Sequence, residues 1–425
     1  VKILVLGSGA REHAIIRRLL ADQTTHEIVA APGNAGIAAD VPVVALDAAD
    51  GAAVVAQVER DRPDLVVVGP EAPLVAGVAD AVRALGVPVF GPDRDAARLE
   101  GSKSFAKQVM EAAGVPTGRA VRASTLPEAE AALDEFGAPY VVKADGLAAG
   151  KGVIVTDDRD AAVAHASRWI DQSVLIEEFL SGQEVSLFFL ADGTRVAPLS
   201  PAQDYKRVDD DDQGANTGGM GAYSPLPWVG DDFVAQVRDT VAQPTITQLA
   251  KQGDEFRGLL YCGLIITPKG LRVIEFNARF GDPETQVVLP RLEGEFGELL
   301  LAAAEGRLDS VPAPRFSPQR AITVVMASEG YPEQSLTGRV ITGVDEAEQL
   351  PGVSVIHAAT ADENGHLIAT GGRVLNVVAV ADTFEAARAA AYAGIERIGL
   401  EGEHHRGDIA AASRTRADLL TDPNA

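Results

Sequence analysis

Three features of the sequence predict an α/β protein built from several units. Apolar strand-like runs alternate with amphipathic stretches over the first 100 residues, β-branched runs joined by glycine-rich segments follow, and a proline-rich linker leads into a last α/β stretch. At 425 residues the chain is longer than one core holds, and roughly two to four domains are expected. Hydrophobic residues make up 46% and charged residues 23%, which is a globular rather than a disordered composition.

The first unit, 1–101, carries strand candidates at Lys2–Leu6, Ile28–Ala31, Leu65–Val68 and Val87–Phe90. Amphipathic stretches at Arg11–Leu20, Gly51–Arg60 and Leu74–Leu85 separate them. Alternation at this spacing implies a parallel sheet with right-handed crossovers. The second unit, 102–317, opens with a helix from Gly101-Ser102-Lys103 to about Ala113, stopped by Gly114-Val115-Pro116. Within it a small α+β module over about 120–190 has strands at Tyr140–Ala144, Gly152–Thr156, Val174–Ile176 and Glu184–Leu190, and a helix near Ala161–Ile170. A long loop rich in Asp, Gly and Asn is expected from Gln203 to Pro225. A helix around Asp232–Ala250 and strands at Gly258–Thr267 and Leu271–Phe276 come next. Val311-Pro312-Ala313-Pro314 and Pro318 read as a linker. The third unit, 318–425, has strands at Ala321–Ala327 and Arg373–Val380 and a helix near Thr383–Ile395. No internal repeat is visible.

The formal charge of −24 argues against a nucleic-acid partner, because phosphate backbones demand a basic surface. No apolar run is long enough to cross a bilayer, and Val1–Leu6 is too short for a signal peptide, so no membrane partner is expected. Cys262 is the only cysteine, which excludes a disulfide framework or a thiolate cluster and points to a reducing cytoplasm. Of the eight lysines, five lie between positions 103 and 206 and none follows 269. Compact ammonium charges gathered in one stretch suit phosphates; chance and a biased codon pool account for the placement equally well.

Gly7-Ser8-Gly9-Ala10-Arg11-Glu12 lies between a strand and a helix, as a dinucleotide fingerprint would. Glu12 stands at the third glycine position, where it would obstruct close helix–strand packing. The second strand ends in Ala31-Pro32-Gly33-Asn34, with no acid to hold a ribose 2′-hydroxyl, so a nicotinamide cofactor is not expected. The turn still offers N–H groups at a helix N-terminus, with Arg11 in its first turn, which suits an anion. Gly146-Leu147-Ala148-Ala149-Gly150-Lys151-Gly152 has the composition of a phosphate loop, but Gly152 stands where a Walker motif needs Ser or Thr, and a strand follows instead of a helix. It reads as a mobile hairpin able to fold over a triphosphate. Lys143, in the apolar strand Val141-Val142-Lys143-Ala144, is costly to bury without an anion; a lysine facing outward from an edge strand is the plain alternative.

The most loaded segment is Val273-Ile274-Glu275-Phe276-Asn277-Ala278-Arg279-Phe280-Gly281-Asp282-Pro283-Glu284. Residues two apart on a strand share a face, so Glu275 and Asn277 should project together while Ile274 and Phe276 pack behind. A carboxylate and an amide oxygen so placed suit Mg²⁺, which takes few protein ligands and shares the rest with phosphates and water. Arg279 continues the face and could steady a transferring phosphoryl group.

Taken together, Lys103, Lys143, the glycine hairpin, Glu177-Glu178-Phe179-Leu180 with Glu184, and Glu275-x-Asn277 resemble the ATP-grasp superfamily. Gly7-Ser8-Gly9-Ala10-Arg11-Glu12-His13, Gly69-Pro70-Glu71-Ala72-Pro73-Leu74, the Lys143–Gly152 stretch, Asn216-Thr217-Gly218-Gly219-Met220-Gly221-Ala222 and Asn277–Thr285 are similar in particular to the phosphoribosylamine–glycine ligase family, in the expected order along the chain. Departures are Ala10 in place of a common glycine, a more acidic run at Asp209–Asp212, and Leu264-Ile265-Ile266, which offers no second acidic metal ligand.

The resemblance implies an ATP-grasp architecture: an N-terminal parallel-sheet domain, a small α+β lid module, a central ATP-grasp domain and a C-terminal α/β domain. It implies ligation of glycine to 5-phosphoribosylamine through glycyl phosphate, with ATP as co-substrate and Mg²⁺ as metal, Mn²⁺ substituting; another ATP-grasp carboxylate–amine ligase, or a non-catalytic nucleotide-binding module, is the alternative. Lys103 and Lys143 would contact nucleotide phosphates, with Lys151 nearby; backbone groups around Glu177, Glu178 and Leu180 would read adenine, and Glu184 the ribose. Glu275 and Asn277 would hold the metal, Arg279 with Lys143 would act in catalysis, and Asp282 would meet an amine. Gly9, Arg11, Asn34 and Glu71 would face the ribose phosphate amine. In Thr370-Gly371-Gly372-Arg373 the glycines would let the backbone approach a ligand and the arginine fork suits a phosphate monoester; the resemblance implies that Arg373 meets the sugar phosphate, and a hairpin turn with a surface arginine is the alternative. A cytoplasmic monomer or weak homodimer acting on small molecules is the corresponding expectation. His404-His405 has no further metal partner in view and is assigned no role.

Overall fold

Four parallel strands in the spatial order Glu27–Pro32, Lys2–Gly7, Leu65–Val68 and Val89–Phe90 form the first sheet of the computed structural model, which describes residues 1–148 and 150–411. Ala149 of the glycine hairpin and the 412–425 end of the third unit lie outside the described residues. Leu65–Val68 is buried at every position, as a parallel strand covered on both faces must be. The helices Ala10–Leu20 and Gly51–Asp61 fall where expected. The helix expected over Leu74–Leu85 is instead two, Glu71–Val75 and Val78–Arg83, because Gly77 between them takes a left-handed φ of +83°. The fourth strand starts only at Val89, since Pro88 brings no N–H to a ladder.

Ala120–Ala123, Val174–Glu177, Tyr140–Ala144 and Val153–Thr156 make a separate four-stranded antiparallel sheet. Helices Leu126–Phe136 and Arg159–Trp169 cover it, with a core of their own around Leu133, Val142 and Ile176. This module closes at Glu177 rather than near 190. The strand expected at Glu184–Leu190 is the longer Gln183–Asp192, which pairs along its whole length with Arg257–Thr267 in another sheet. That sheet runs Val196–Pro198, Gln183–Asp192, Arg257–Thr267, Gly270–Asn277. Over the region expected as one helix, Phe233–Val237 passes through a π-helical turn, Arg238–Ala242, into Gln243–Gln252.

The stretch from Gln203 to Pro225 is not a plain loop. Arg207–Asp209 and Gln213–Asn216 form a hairpin, and Gln203–Asp204 and Gly221–Ser224 enter a five-stranded sheet with Arg320–Ala327, Arg373–Ala381 and Val353–His357. The strand signal failed there because these segments hold Asp, Gly and Asn where β-branched residues are the usual cue. The third unit's sheet is thus completed by strands from the second, and the helix Phe384–Arg397 packs on it. The presumed linker also pairs, Arg315–Phe316 against Leu292–Glu293.

Candidate active site

A single extra residue in one strand aims the central carboxylate. Glu275 pairs with Gly263 but Val273 pairs with Leu264, leaving Ile274 as a β-bulge. Leu271, Val273 and Phe276 therefore enter the core, and Ile274 does not pack behind as expected. Without the bulge, strict alternation would put Glu275 on the core face with Val273; with it, Glu275 and Asn277 turn to the opposite face. That face continues across the sheet through Gly263 and Tyr261 to Ser186 and Glu184. A side chain at Gly263 would press on Glu275, 3.2 Å from its Cγ.

Cations converge on Glu275. Its half-buried carboxylate makes no hydrogen bond or ion pair among the described residues. Burial would raise its pKa, but Lys206, Lys143, Lys103 and Arg279 outweigh burial and hold it below the usual range. Among the described residues the Asn277 amide oxygen meets only the Arg279 guanidinium, at 3.5 Å. A carboxylate and an amide oxygen with no protein partner closer than that fit a hard, oxygen-seeking divalent cation such as Mg²⁺.

Lys143 is buried, as its cost demanded, with Nζ 2.8 Å from Glu177 Oε2. Lys107 approaches the other Glu177 oxygen at 3.5 Å. Burial would lower the Lys143 pKa, yet Glu177 and Glu275 raise it overall. Lys103 opens the helix Lys103–Ala113, capped by Ser102, and donates to the Gly146 carbonyl at the base of the glycine hairpin at 3.1 Å. Lys151 is exposed on that hairpin. Glu178 hydrogen-bonds Arg119, whereas the backbone groups of Phe179 and Leu180 make no hydrogen bond among the described residues. These residues lie in the connection between the two sheets. Glu184 is exposed and accepts from Lys206 Nζ at 2.8 Å.

The first glycine turn closes on the same region, and its architecture explains the missing third glycine. Glu12 is buried over Gly7 and Gly69, at the ends of neighbouring strands, where any side chain would collide with it. The glycines thus make room for the glutamate, which occupies the crevice a dinucleotide pyrophosphate would need. One Glu12 oxygen accepts the Gly9 N–H at 2.6 Å and the other accepts Arg11 Nε at 2.6 Å. Arg11 also donates to the Phe280 carbonyl at 3.1 Å, tying the turn to the Glu275 segment. Arg279 lies 2.9 Å from Glu100 and 3.3 Å from Glu71. Burial would raise the Glu71 pKa, but Arg279 and Arg11 lower it overall.

The third unit supplies the last wall. Arg373 Nη1 donates to the carbonyls of Gly218 at 2.8 Å and Asp282 at 3.0 Å, and Nη2 lies 3.6 Å from the Asp282 carboxylate. Its neighbours Gly371 and Gly372 approach protein rather than open space, for a side chain at Gly372 would strike the Tyr331 ring. Gln286 Nε2 holds Asp282 Oδ1 at 2.8 Å. The Asn34 amide is fully engaged: it caps the helix Ala35–Asp40 and donates to the carbonyls of Ser8 and His357, both at 2.9 Å. His404 meets the Val208 carbonyl at 2.6 Å and His405 the Glu403 carboxylate at 2.9 Å, so the histidine pair braces the surface without converging on a metal. Sequence reasoning missed Lys206, hidden in the acidic stretch, and Glu100, in the unforeseen helix Arg94–Gly101. Lys206 was legible only as one of the clustered lysines.

A two-sheet nucleotide clasp with a carboxylate–amide pair and lysines between its jaws defines an ATP-grasp ligase. Family descriptions match in chain order: phosphoribosylglycinamide synthetase N domain over residues 1–100, ATP-grasp (A) domain over 101–285 and C domain over 321–412. The chain belongs to the phosphoribosylglycinamide synthetase family, also called phosphoribosylamine–glycine ligase. It is 65% identical to a phosphoribosylamine–glycine ligase of Leifsonia xyli subsp. xyli, over 97% of this chain and 100% of that one. It is 56% identical to the one from Streptomyces coelicolor, over 97% and 99%. The crystal structure of the Thermotoga maritima enzyme of that name superposes with a TM-score of 0.83 at 33% identity, covering 96% of this chain and 100% of that one. A biotin carboxylase from Campylobacter jejuni shares the fold at 15% identity, with a TM-score of 0.71 over 99% and 95%. No helix among the described residues is long and apolar enough to cross a membrane.

Proposed function

We propose that this chain joins glycine to 5-phosphoribosylamine, converting ATP to ADP and phosphate and yielding glycinamide ribonucleotide. The observation that carries this reading is the partnerless Glu275 carboxylate ringed by Lys103, Lys143, Lys206 and Arg279. Such a ring suits a polyphosphate with its counter-cation, and the names of the relatives supply the acceptor pair.

In this reading a carboxylate oxygen of glycine attacks the γ-phosphorus and ADP leaves. The amine nitrogen of phosphoribosylamine then attacks the glycyl carbonyl carbon, phosphate leaves and the nitrogen gives up a proton. No protein nucleophile takes part, because positioning and charge stabilisation do the catalysis. Lys103, Lys143 and Lys151 bind nucleotide phosphates; for Lys143 this means sharing its charge between Glu177 and the ligand. The backbone between Glu177, Glu178 and Leu180 reads adenine, and Glu184 holds the ribose. Glu275 and Asn277 hold Mg²⁺ or Mn²⁺, which when bound neutralises phosphate charge. Arg279 steadies the transferring phosphoryl group. Gly9, Arg11, Glu71, Asp282 and Arg373 surround the ribose phosphate amine, and Asn34 serves by pinning the Ser8 turn to the third unit.

The division of labour follows three units, 1–101, 102–317 and 318–425, with the 120–177 module as the lid. The enzyme is a cytoplasmic monomer or weak homodimer. Phosphate release measured with ATP, glycine and phosphoribosylamine, omitting each in turn, tests the reading. Release that does not depend on glycine, or that another amino acid supports as well, would overturn it.

A further inference from the structure

Two acids on the ligand face form no close ion pair among the described residues. Glu177 has Lys143 and Lys107, Glu184 has Lys206, Glu71 and Glu100 have Arg279, and Asp282 has Arg373. Glu275 is assigned above to the divalent ion. Asp204 and Glu284 are left.

Asp204 lies on the short strand Gln203–Asp204. The bridge between Ser186 and Ala202 sets the register, so Asp204 stands beside Glu184 on the same face as Ser186 and Glu275. Its carboxylate is half-buried, meets its own backbone N–H, and hydrogen-bonds no other residue among the described residues. Glu284 is buried, with all its donors on one oxygen: Tyr261 Oη at 2.5 Å and Ser186 Oγ at 3.4 Å. The other oxygen, Oε2, has no hydrogen-bond partner among the described residues. It lies over Gly281, where a side chain would come within 2.5 Å of it. A buried carboxylate oxygen without a donor is expensive, and a hydrogen-bonding cation is the natural remedy.

We propose that Asp204 and Glu284 together seat the ammonium group of the amino-acid substrate. This deepens the ligase reading and rests on it. With the substrate carboxylate turned toward Glu275 and Arg279, the three N–H donors of its ammonium face these two acids. Burial, with the charges of Glu284 and Glu184 adding and that of Lys206 opposing, raises the Asp204 pKa to about 7, as expected for an acid waiting for its counter-charge. The hydroxyls of Tyr261 and Ser186 keep Glu284 in place from behind.

Steady-state kinetics of the full-length Asp204→Asn enzyme test this, with glycine, ATP and phosphoribosylamine each varied. Glycolate, which replaces the ammonium by a hydroxyl, serves as the neutral probe. The KM for glycine should rise at least tenfold while those for ATP and phosphoribosylamine stay within about twofold, and preference for glycine over glycolate should fall at least tenfold. Glu284→Gln, which retains the acceptor for Tyr261, should shift the glycine KM the same way, so the question survives misfolding of the first variant. An unchanged glycine KM, or an equal rise for all three substrates, would overturn the proposal. So would a raised Mg²⁺ requirement at constant glycine KM, which would make the pair a second metal site. Wild-type enzyme without glycine-dependent phosphate release would remove the ligase reading itself, and this seat with it.

Discussion

His13 Nδ1 accepts the backbone N–H of His357 at 2.8 Å, across 344 positions of sequence. That acceptor role puts the ring proton on Nε2, which lies 2.9 Å from Asp40 Oδ2. The two imidazoles pack edge to face with centroids 5.6 Å apart, and Gly36 lacks a side chain because one would strike both rings. Neutral histidines therefore line the seam between the first and third units.

That seam should be acid-labile. Burial, with the nearby His13 ring and the Arg17 charge adding and Asp40 opposing, lowers the His357 pKa to about 3, from an ordinary 6.5. His13 is lowered too, by burial and against the pull of Asp40. A histidine depressed in the folded state stays neutral while the unfolded chain takes up a proton, so its contribution is complete above pH 6.5 and is lost as pH falls toward 3. Between pH 8 and 5, His357 alone should cost about 2 kcal/mol. Melting curves at those pH values should show the drop, and His357→Gln should blunt it; equal drops in both proteins would contradict this account.

Lys143→Ala should weaken Mg-ATP binding by about 1.5–3 kcal/mol, roughly ten- to a hundredfold, through loss of a charge-assisted hydrogen bond. It should also lower the melting temperature, since Glu177 keeps only Lys107 at 3.5 Å. Calorimetric titration and a thermal scan separate the two effects. Wild-type affinity in a folded variant would remove Lys143 from the nucleotide site.

Glu275→Gln should retain nucleotide binding yet lose about two orders of magnitude or more in turnover. The wild-type enzyme with Mg-ATP, glycine and hydroxylamine should give glycyl hydroxamate, the trapped form of the acyl phosphate. Appearance of AMP instead of ADP would exclude that intermediate.

Gly69→Ala should destabilise the fold by about 1–3 kcal/mol, because the new methyl group would meet the buried Glu12 carboxylate. Pairing it with Glu12→Ala should recover part of that loss in a denaturant titration. If the single variant matches wild type, the glycine is not making room for Glu12.

Arg373→Ala should raise the KM for phosphoribosylamine and leave those for ATP and glycine near normal. Because Arg373 also grips Gly218 and Asp282, Arg373→Lys should restore little. Unchanged phosphoribosylamine kinetics would leave the phosphate to the Arg11 turn.

Most of this was legible where periodicity and residue type agreed. The parallel strands of the first unit and the apolar strand that carries Lys143 read correctly from pattern, and Glu275 and Asn277 share a face as their spacing predicts. The Ile274 bulge did not, because alternation alone carries no sign of an inserted residue, and it decides which face Glu275 takes. Gly221–Ser224 was hidden for a related reason: its partner Arg320–Ala327 lies about a hundred residues onward, and Gln203–Asp204 enters the sheet only by pairing with Gly221–Ser224, so nothing local marks either as a strand. Likewise the crowding of Gly7 and Gly69 by Glu12 is a long-range fit, readable in sequence only as a glycine fingerprint that failed.

The sharing of one sheet between the second and third units also sets a clock on synthesis. When Gly221–Ser224 leaves the ribosome, its partner Arg320–Ala327 has not been made. At ordinary elongation speeds the delay is roughly 5–20 s. Throughout that interval the nascent chain carries an open β-edge that any passing strand can pair with, and the nearest such strand on a polysome is the same segment of the next copy.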